Sequence, residues 1–335
     1  MRLYPLAAFA TVAVGLAVGS APSAPPTHPT QGQGVTIVLE NEFIKKYMDR
    51  ATMETEFRPV AKSANHKPKD DGEVHIGGVA VEAKLAAVAE VMNVATTGKK
   101  AADVFAAAIG QGKSVKVTGA WRLWCEHSGG LPQVQKDGLT APLPGLFPSN
   151  PDHVFEIHPV TSVRLGDEEI VDAAKAVGAT PGHTPHDPQK AFHLGYDRIP
   201  CKIAPVGTDR TKIVTQALGF NFTEFVIRLN KPPFALADGH AVEAAVFDPD
   251  GELISLRRRM VFIKGTAADD AVKGLAEGKR LQVIGIPRIS LKLVNYRLEH
   301  KDDKDEENKP LNPLDWNLPY EMIVVSAIPV EGDDN

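Results

Sequence analysis

The sequence is poor in cysteine. Among its 335 residues only Cys125 and Cys201 are cysteines, which is too few for a disulfide-stapled scaffold. The two thiols either form one disulfide bridge or are buried as separate thiols. The sequence does not distinguish these alternatives, because pairing depends on the distance between the Cα atoms. Hydrophobic cores must therefore stabilise the chain, and a hydrophobic content of 43% is ordinary for soluble globular proteins.

Positive charge and familiar catalytic motifs are also scarce. The formal net charge is −5, so no positive field of the whole chain attracts nucleic acid or an anionic membrane. The sequence has no Gly-x-Ser-x-Gly, Walker loop, Rossmann glycine motif or Cys-x-x-Cys. Gly110-x-Gly112-Lys113 follows a predicted helix, whereas a phosphate-binding loop precedes one. Enzyme classes that depend on those motifs are not indicated.

Long apolar runs are confined to the N-terminus. Arg2 precedes an apolar stretch at residues 6–18, and small residues follow it, which is the pattern of an export signal. We predict a signal peptide at residues 1–20 and a periplasmic or extracellular mature protein without a transmembrane segment. An uncleaved anchor is the alternative, although a spanning helix needs about 20 apolar residues. Residues 21–34, rich in Pro, Gly and Thr, are predicted to be a disordered linker.

One segment of the chain occurs twice. Residues 97–122, TGKKAADVFAAAIGQGKSVKVTGAWR, return as residues 264–288, KGTAADDAVKGLAEGKRLQVIGIPR. Three identical pairs at one constant offset define the match: Asp103 with Asp269, Gly119 with Gly285, and Arg122 with Arg288. Each copy predicts a short helix followed by glycine and then a long strand whose internal glycine indicates a bend or bulge. We therefore interpret the chain as two copies of one small fold.

The order of elements in each copy indicates a barrel. Strands, a single helix, a long bent strand and a closing strand are typical of the five-stranded OB-like barrel. The predicted fold class is mainly β with short helices, built as tandem OB-like barrels from an internal duplication. We predict the first barrel with flanking helices at residues 35–179, a linker at 180–200 and the second barrel at 201–331.

The first copy also resembles a known group of proteins. The matching residues are Asp71, Gly72 and His75 at its start, Val115, Val117 and Gly119 in its middle strand, and Glu156-Ile157-His158-Pro159-Val160 in its closing strand. This pattern resembles exported, uncharacterised bacterial proteins whose closing strand reads Glu-Leu/Ile-His-Pro-Val. The resemblance covers residues 71–163 only and implies an OB-like barrel and export, with no known activity. The second copy has Ile323 at the position of His158 and lacks the signature.

Histidine and glutamate recur on the predicted strands of the first copy. The set is Glu73, His75, Glu90, Glu126, His127, Glu156 and His158. Because residues two apart on a strand share a face, a divalent metal at His75, Glu156 and His158 is one hypothesis. Metal-activated water would then make a hydrolase or nuclease. The alternative is a set of cross-strand ion pairs, each worth about 0.2–1 kcal/mol. We expect no cofactor unless this cluster holds a divalent metal.

Two further side chains of the first copy are candidates for ligand binding. By alternation Trp121 points into the barrel, whereas Arg122 and Trp124 point outward, where a base or sugar ring would stack on them. The alternative is that the loop at residues 128–152 covers Trp124.

Other polar runs are interpreted as solvated. They are His183-x-x-His186 with His193, the basic run Arg257-Arg258-Arg259, and the acidic run HKDDKDEE at residues 300–307. The basic run is the one place suited to phosphate contacts, but the acidic run precedes the predicted closing strand and would repel phosphate. Nucleic acid is therefore not the favoured partner.

These observations predict an exported binding or structural module of the cell envelope, whose ligand or partner the sequence does not identify. Two alternatives stay open, a metal-dependent hydrolase or nuclease in the first barrel and an oligonucleotide-binding protein.

Overall fold

The computed structural model describes residues 32–128 and 130–330. The predicted signal peptide and residues 21–31 of the predicted linker lie outside these ranges, so both stay predictions. Within the described ranges, none of the helices has the length and hydrophobicity that crossing a bilayer requires.

Strands dominate the described part of the chain. In order, the strands and helices are β1 (Gly34–Glu40), α1 (Asn41–Tyr47), β2 (Thr52–Lys62), β3 (Val74–Ala80), β4 (Leu85–Val91), α2 (Lys99–Gln111), β5 (Val115–Leu123), β6 (Gln133–Val134), β7 (Leu143–Phe147), β8 (Asn150–Asp152), β9 (Phe155–Leu165), β10 (Val171–Asp172), β11 (Pro200–Val206), β12 (Arg210–Gln216), β13 (Thr223–Leu229), β14 (Phe234–Leu236), β15 (Gly239–Phe247), β16 (Leu253–Ile263), α3 (Ala267–Val272), β17 (Arg280–Ile289), α4 (Leu291–Glu299), β18 (Asp315–Asn317) and β19 (Tyr320–Pro329). Short helical turns lie at Ala174–Ala176, Lys190–Gly195 and Tyr196–Arg198.

Five strands close the first barrel in the order β2–β3–β4–β9–β5, and β5 pairs back to β2. All neighbours are antiparallel except β4 and β9, which run parallel. Helix α2 connects β4 to β5 and packs the Phe105 ring against the Phe57 ring at 6.0 Å between centroids. It ends at Gly112, whose φ of +62° is the left-handed conformation that glycine adopts most easily.

The second barrel repeats this topology. Its strands follow the order β13–β15–β16–β19–β17, with β17 paired back to β13 and β16 parallel to β19. Helix α3 again connects the third strand to the fourth, and the Thr266 side chain caps its N-terminus by accepting from the Asp269 amide. The predicted fold class, mainly β with tandem OB-like barrels, is confirmed.

The long bent strand of each barrel bends at the repeated glycine. The pairing of β5 with β9 shifts register on both sides of Gly119, and the pairing of β17 with β19 shifts next to Gly285. A Cβ atom on Gly119 would lie 2.4 Å from the Pro159 carbonyl oxygen, so no larger residue fits there. The predicted bend is therefore confirmed in both copies.

The two barrels contact each other through equivalent residues. Arg122 Nε donates to the Pro287 carbonyl oxygen at 3.0 Å, and Arg288 Nη1 donates to the Trp121 carbonyl oxygen at 3.1 Å. Each arginine thus binds the residue that precedes the other arginine in the chain. An apolar cluster surrounds this contact and consists of Met92, Ala120, Val177, Phe222, Ile263, Ile286, Ile323 and Val325. The outer face of each barrel is therefore partly an internal interface.

A third sheet joins distant parts of the chain and was not predicted. Its strand order is β18–β11–β12–β1–β6, and its residues Val35, Ile37 and Leu39 are fully buried in the main core. The hairpin of β11 and β12, predicted as part of the second barrel from residue 201, belongs to this sheet. The predicted linker at residues 180–200 contributes buried side chains, including Phe192 and Tyr196. The hairpin therefore lies outside the second barrel, and residues 180–200 pack into the core.

Both cysteines are free thiols in buried positions. Burial raises the pKa of the Cys201 thiol to about 12 and raises that of Cys125 as well. A thiol-specific reagent such as Ellman's is therefore expected to leave the native protein unmodified and to label both cysteines after denaturation without reductant. Labelling that needs prior reduction would instead reveal a disulfide between them.

Candidate metal centre

The closing strand of the first barrel carries a polar row on its outer face. Alternation along β9 places Phe155 and Ile157 in the core and Glu156 and His158 outside the barrel. That outer face is nevertheless buried, because the second barrel and the segment that precedes it cover it. The Phe222 ring packs on the His158 ring at 5.6 Å between centroids, and His158 is 0% exposed.

His158 lies at the centre of three carboxylates. Its Nε2 is 3.0 Å from Glu73 Oε1, and its Nδ1 is 2.9 Å from Glu90 Oε2 and 3.4 Å from Glu156 Oε2. Glu73 directly precedes β3, and Glu90 lies on β4, the parallel neighbour of β9. The closed barrel therefore brings together residues that are distant in sequence.

His75 forms the solvent-facing edge of the same cluster. It lies opposite Glu90 in the pairing of β3 with β4. Its Nε2 is 3.9 Å from carboxylate oxygens of Asp71, Glu73 and Glu90, and its side chain is 16% exposed. The three predicted metal ligands thus lie in one cluster, but His75 belongs to a different ligand group from Glu156 and His158.

The carboxylates favour the protonated form of both histidines. Burial by itself lowers the pKa of His75, but Glu90, Glu73 and Asp71 outweigh burial and raise that pKa to about 9. Burial likewise opposes protonation of His158, yet Glu90 and Glu73 raise its pKa well above the ordinary 6.5. Without a metal, protons on the two imidazoles partly neutralise the cluster.

Arg122 supports the cluster from the interface side. Its guanidinium pairs with Glu156 through Nη1 and with Glu126 through Nη2, the latter at 3.1 Å. Burial would raise the pKa of Glu156, but Arg122, with His153 and His158, holds it well below the usual 4.5. Glu156 is therefore ionised throughout the neutral range.

Carboxylates are concentrated in the buried part of this cluster. Glu73 is 1%, Glu90 is 3% and Glu156 is 1% exposed, and their cationic partners are His75, His158 and Arg122. Buried negative charge without a partner is costly. A divalent cation in place of the imidazole protons would supply such a partner, so the donor set fits a metal.

Three overlapping groups of side chains have metal-ligand geometry. Glu90, Glu156 and His158 form a fully buried group, Glu73, His75 and Glu90 form a second group, and His66, Asp71 and His75 form a third, partly exposed group. In each group one ligand atom per residue lies within 4.8 Å of the others. Imidazole and carboxylate are suitable donors for zinc or manganese. Glu90 is shared by the first two groups, and His75 is shared by the last two.

His153 adds an unsatisfied nitrogen beside this site. Its Nδ1 donates to the Pro151 carbonyl oxygen at 2.7 Å, because a carbonyl only accepts. Its Nε2 is buried, has no hydrogen-bond partner, and lies 3.4 Å from Glu156 Oε1. Histidines that bind metals are commonly oriented by such a backbone bond. Sequence reasoning missed His153, whose only signal is a histidine three residues before Glu156.

The prediction that Arg122 and Trp124 face outward to a ligand is wrong. Arg122 is 0% and Trp124 is 1% exposed, and the Trp124 ring packs edge-on against Tyr196 at 5.8 Å. In an isolated barrel both positions would face solvent, but the second barrel covers Arg122 and the segment before that barrel covers Trp124. A stacking platform needs an exposed face, and neither side chain provides one.

The other histidines named from the sequence lie apart from the metal-ligand groups. His183 packs its ring on Phe222 at 5.2 Å and lines a cavity of about 180 Å³ together with Asp71. The His186 amide donates to the Phe222 carbonyl oxygen at 2.7 Å. His127 stacks on His153 at 5.2 Å. Within the described residues, none of these three belongs to a group that could hold a metal.

Comparison with known proteins adds little to this geometry. No protein-family model matches the sequence, and no curated protein matches it. A solved structure described as "Structural mimicry for functional antagonism" aligns with 73% of this chain and 90% of its own, at 9% identity and a TM-score of 0.17. A likeness that weak supports no conclusion about either fold or function.

Proposed function

We propose that this protein is an exported binding module whose first barrel holds a divalent metal ion at Glu90, Glu156 and His158. The observation that carries the proposal is the approach of their ligand atoms to within 4.8 Å of one another in a buried site. Export rests on the sequence pattern of residues 1–20 alone.

The surroundings of the site support a tightly held ion. Arg122 fixes Glu156, and Glu73 accepts from the remaining nitrogen of His158. Such outer partners orient ligands and commonly change metal affinity by about 10–100-fold. An ion there would connect β4 with β9 beside the second barrel and would stabilise the arrangement of the two barrels.

Burial favours binding over catalysis at this group. A catalytic metal keeps one coordination position open to water or substrate. Here His158 is 0%, Glu156 is 1% and Glu90 is 3% exposed, so a substrate has no path to the ion without opening the interface.

Hydrolysis is the second candidate function, at the outer group of Glu73, His75 and Glu90. His75 is accessible to solvent, and Asp71 beside it lines the cavity of about 180 Å³. A metal-dependent release of nitrophenolate from bis(4-nitrophenyl) phosphate, lost in His75→Ala, would support this candidate. A metal-loaded protein without that activity would remove it.

Metal uptake is the direct test of the proposed function. Protein stripped with chelator, incubated with Zn²⁺ or Mn²⁺ and separated from free ion is expected to retain about one ion per chain by elemental analysis. His158→Ala is expected to weaken the affinity by at least about 100-fold. His183→Ala is the matched control, because its ring also packs on Phe222 while it belongs to none of the three ligand groups.

Circular dichroism of each variant shows whether it is folded, so that loss of the ion can be separated from unfolding. Glu90→Gln retains the shape of the side chain and is expected to lose the ion as His158→Ala does. Folded wild-type protein that retains neither ion, or equal retention by wild type and both ligand variants, contradicts the proposal.

A further inference from the structure

A large cavity on the second barrel is separate from the metal centre. It has a volume of about 550 Å³ and lies where β16 and β15 meet helix α4. Small-molecule sites in proteins usually enclose about 300–1,000 Å³. The cavity is therefore large enough for a compact organic ligand.

Four cationic side chains line this cavity. Arg257, Arg258, Arg259 and Lys292 line it, and Glu243 is the one carboxylate among the lining residues. Lone basic runs are commonly solvated, but here the run and Lys292 converge on one concavity. The lining is suited to an anion.

Carboxylates hold all four cationic side chains in place, since Arg257 pairs with Glu243 at 2.5 Å and Lys292 pairs with Asp49 at 2.7 Å. Arg258 pairs with Asp197 at 2.9 Å and lies over the Tyr320 ring at 4.0 Å from its centroid. Arg259 contacts Asp49 at 3.3 Å. Guanidinium groups held in this way lose little freedom when they bind an anion.

The same two arginines have unsatisfied donors. The Nε atoms of Arg258 and Arg259 are buried and have no hydrogen-bond partner. Buried polar groups are nearly always paired in folded proteins, and a guanidinium binds phosphate or carboxylate through paired N–H groups. Because these Nε atoms are buried, a ligand in the cavity would be bound by the terminal nitrogens of the guanidinium groups that line it.

An apolar wall on helix α4 completes the site. Leu293 and Tyr296 are 42% and 47% exposed and both line the cavity. They are three residues apart, so they share one side of the helix. An exposed tyrosine ring beside cations is suited to a ligand whose anionic group is attached to a ring.

We infer that the second barrel binds a phosphate monoester of a small ring compound. The phosphate contacts the basic run and Lys292, and the ring packs on Tyr296 and Leu293. A polynucleotide is disfavoured because the acidic segment at residues 300–307 directly follows α4 and would repel further phosphates.

Calorimetric titration of the full chain with phenyl phosphate tests the inference. We expect saturable binding with a dissociation constant of about 1 mM or tighter at low salt. Inorganic phosphate and phenol each lack half of the ligand and are expected to bind at least about tenfold more weakly. Glucose 1-phosphate is titrated in parallel, and tighter binding of either ester identifies an aromatic or a sugar ring as the preferred part.

Variants locate the binding within the chain. Arg257 and Lys292 are 68% and 49% exposed in their side chains, so the double variant Arg257→Gln/Lys292→Gln should fold. It is expected to bind phenyl phosphate at least about fivefold more weakly. Lys100→Gln/Lys113→Gln removes the same charge from exposed positions within and just after α2 and is expected to bind as wild type does.

Three results would overturn the inference. They are absence of saturable binding of both esters up to about 10 mM, equal weakening in the control double variant, and binding of phenol as tight as that of phenyl phosphate. The second result would mean that overall charge, rather than this cavity, attracts the ligand.

Discussion

Replacing Arg288 with methionine is expected to lower the free energy of unfolding by about 3–5 kcal/mol. Arg288 is completely buried, pairs with Glu321 at 2.6 Å and lies 3.7 Å from the Trp121 ring centroid. It also donates to the carbonyl oxygens of Ala51 and Arg50 at 3.2 and 3.1 Å. Methionine fills much of the volume but removes the arginine partner of a buried carboxylate and the donor to these carbonyl oxygens.

Urea denaturation monitored by circular dichroism measures this loss. Arg210→Met is the matched control, because Arg210 is partly exposed and its Glu40 partner is 3.8 Å away, which predicts a change below about 1 kcal/mol. Adding Glu321→Met to Arg288→Met is expected to recover part of the loss, since it removes the unpaired charge. A cost for Arg288→Met no larger than that of the control would show that the inter-barrel arginine does not stabilise the fold.

Stability of the metal-free protein is expected to fall steeply between pH 6.5 and pH 9. Because the folded-state pKa of His75 is raised from 6.5 to about 9, its protonated form stabilises the fold fully below pH 6.5. That stabilisation, about 3 kcal/mol, disappears as the pH rises through 9. His158, whose pKa is raised well above 6.5 by the same carboxylates, adds to the loss.

The acid side is expected to show the opposite dependence. The pKa values of Glu73 and Glu156 are held below 4.5, so their stabilising effect is present above that pH and is lost as the pH falls through the folded-state values. Stability is therefore greatest between these two limbs.

Urea titrations at pH 6.5, 7.5 and 9 measure the alkaline limb. His75→Gln is expected to flatten it, whereas the exposed His300→Gln is expected to leave it unchanged. Bound Zn²⁺ should also flatten the limb, because a metal takes the place of the imidazole protons. A wild-type stability that stays constant over this range would mean that the cluster is not held together by protonated histidine.

Alternation and glycine placement were enough to predict the barrels. The repeated Gly119 and Gly285 mark the bend of equivalent strands, and the order of strands and helix is the same in both copies. These signals are local, since a strand alternates over a few residues and a bend needs one small residue. They could be read before any long-range contact was known.

The third sheet could not be predicted by the same reasoning. Its edge strands, β6 and β18, span two and three residues, which is too short for an alternating pattern. Such strands form because the rest of the fold brings them beside β1 and β11. The hairpin of β11 and β12 likewise pairs with β18 and β1 through long-range contacts that have no local sequence signal.

The sequence by itself determined the two barrel topologies, the polar row of Glu156 and His158 on one strand, and the equivalence of Arg122 with Arg288. Only the tertiary structure decided which polar row is buried, because alternation separates the two faces of a strand without saying what covers the outer one. Packing of one barrel on the other turned Arg122 from an outward-facing candidate into a buried partner of Glu156. The same packing buried His158 among carboxylates, where burial and charge together create the proposed metal site.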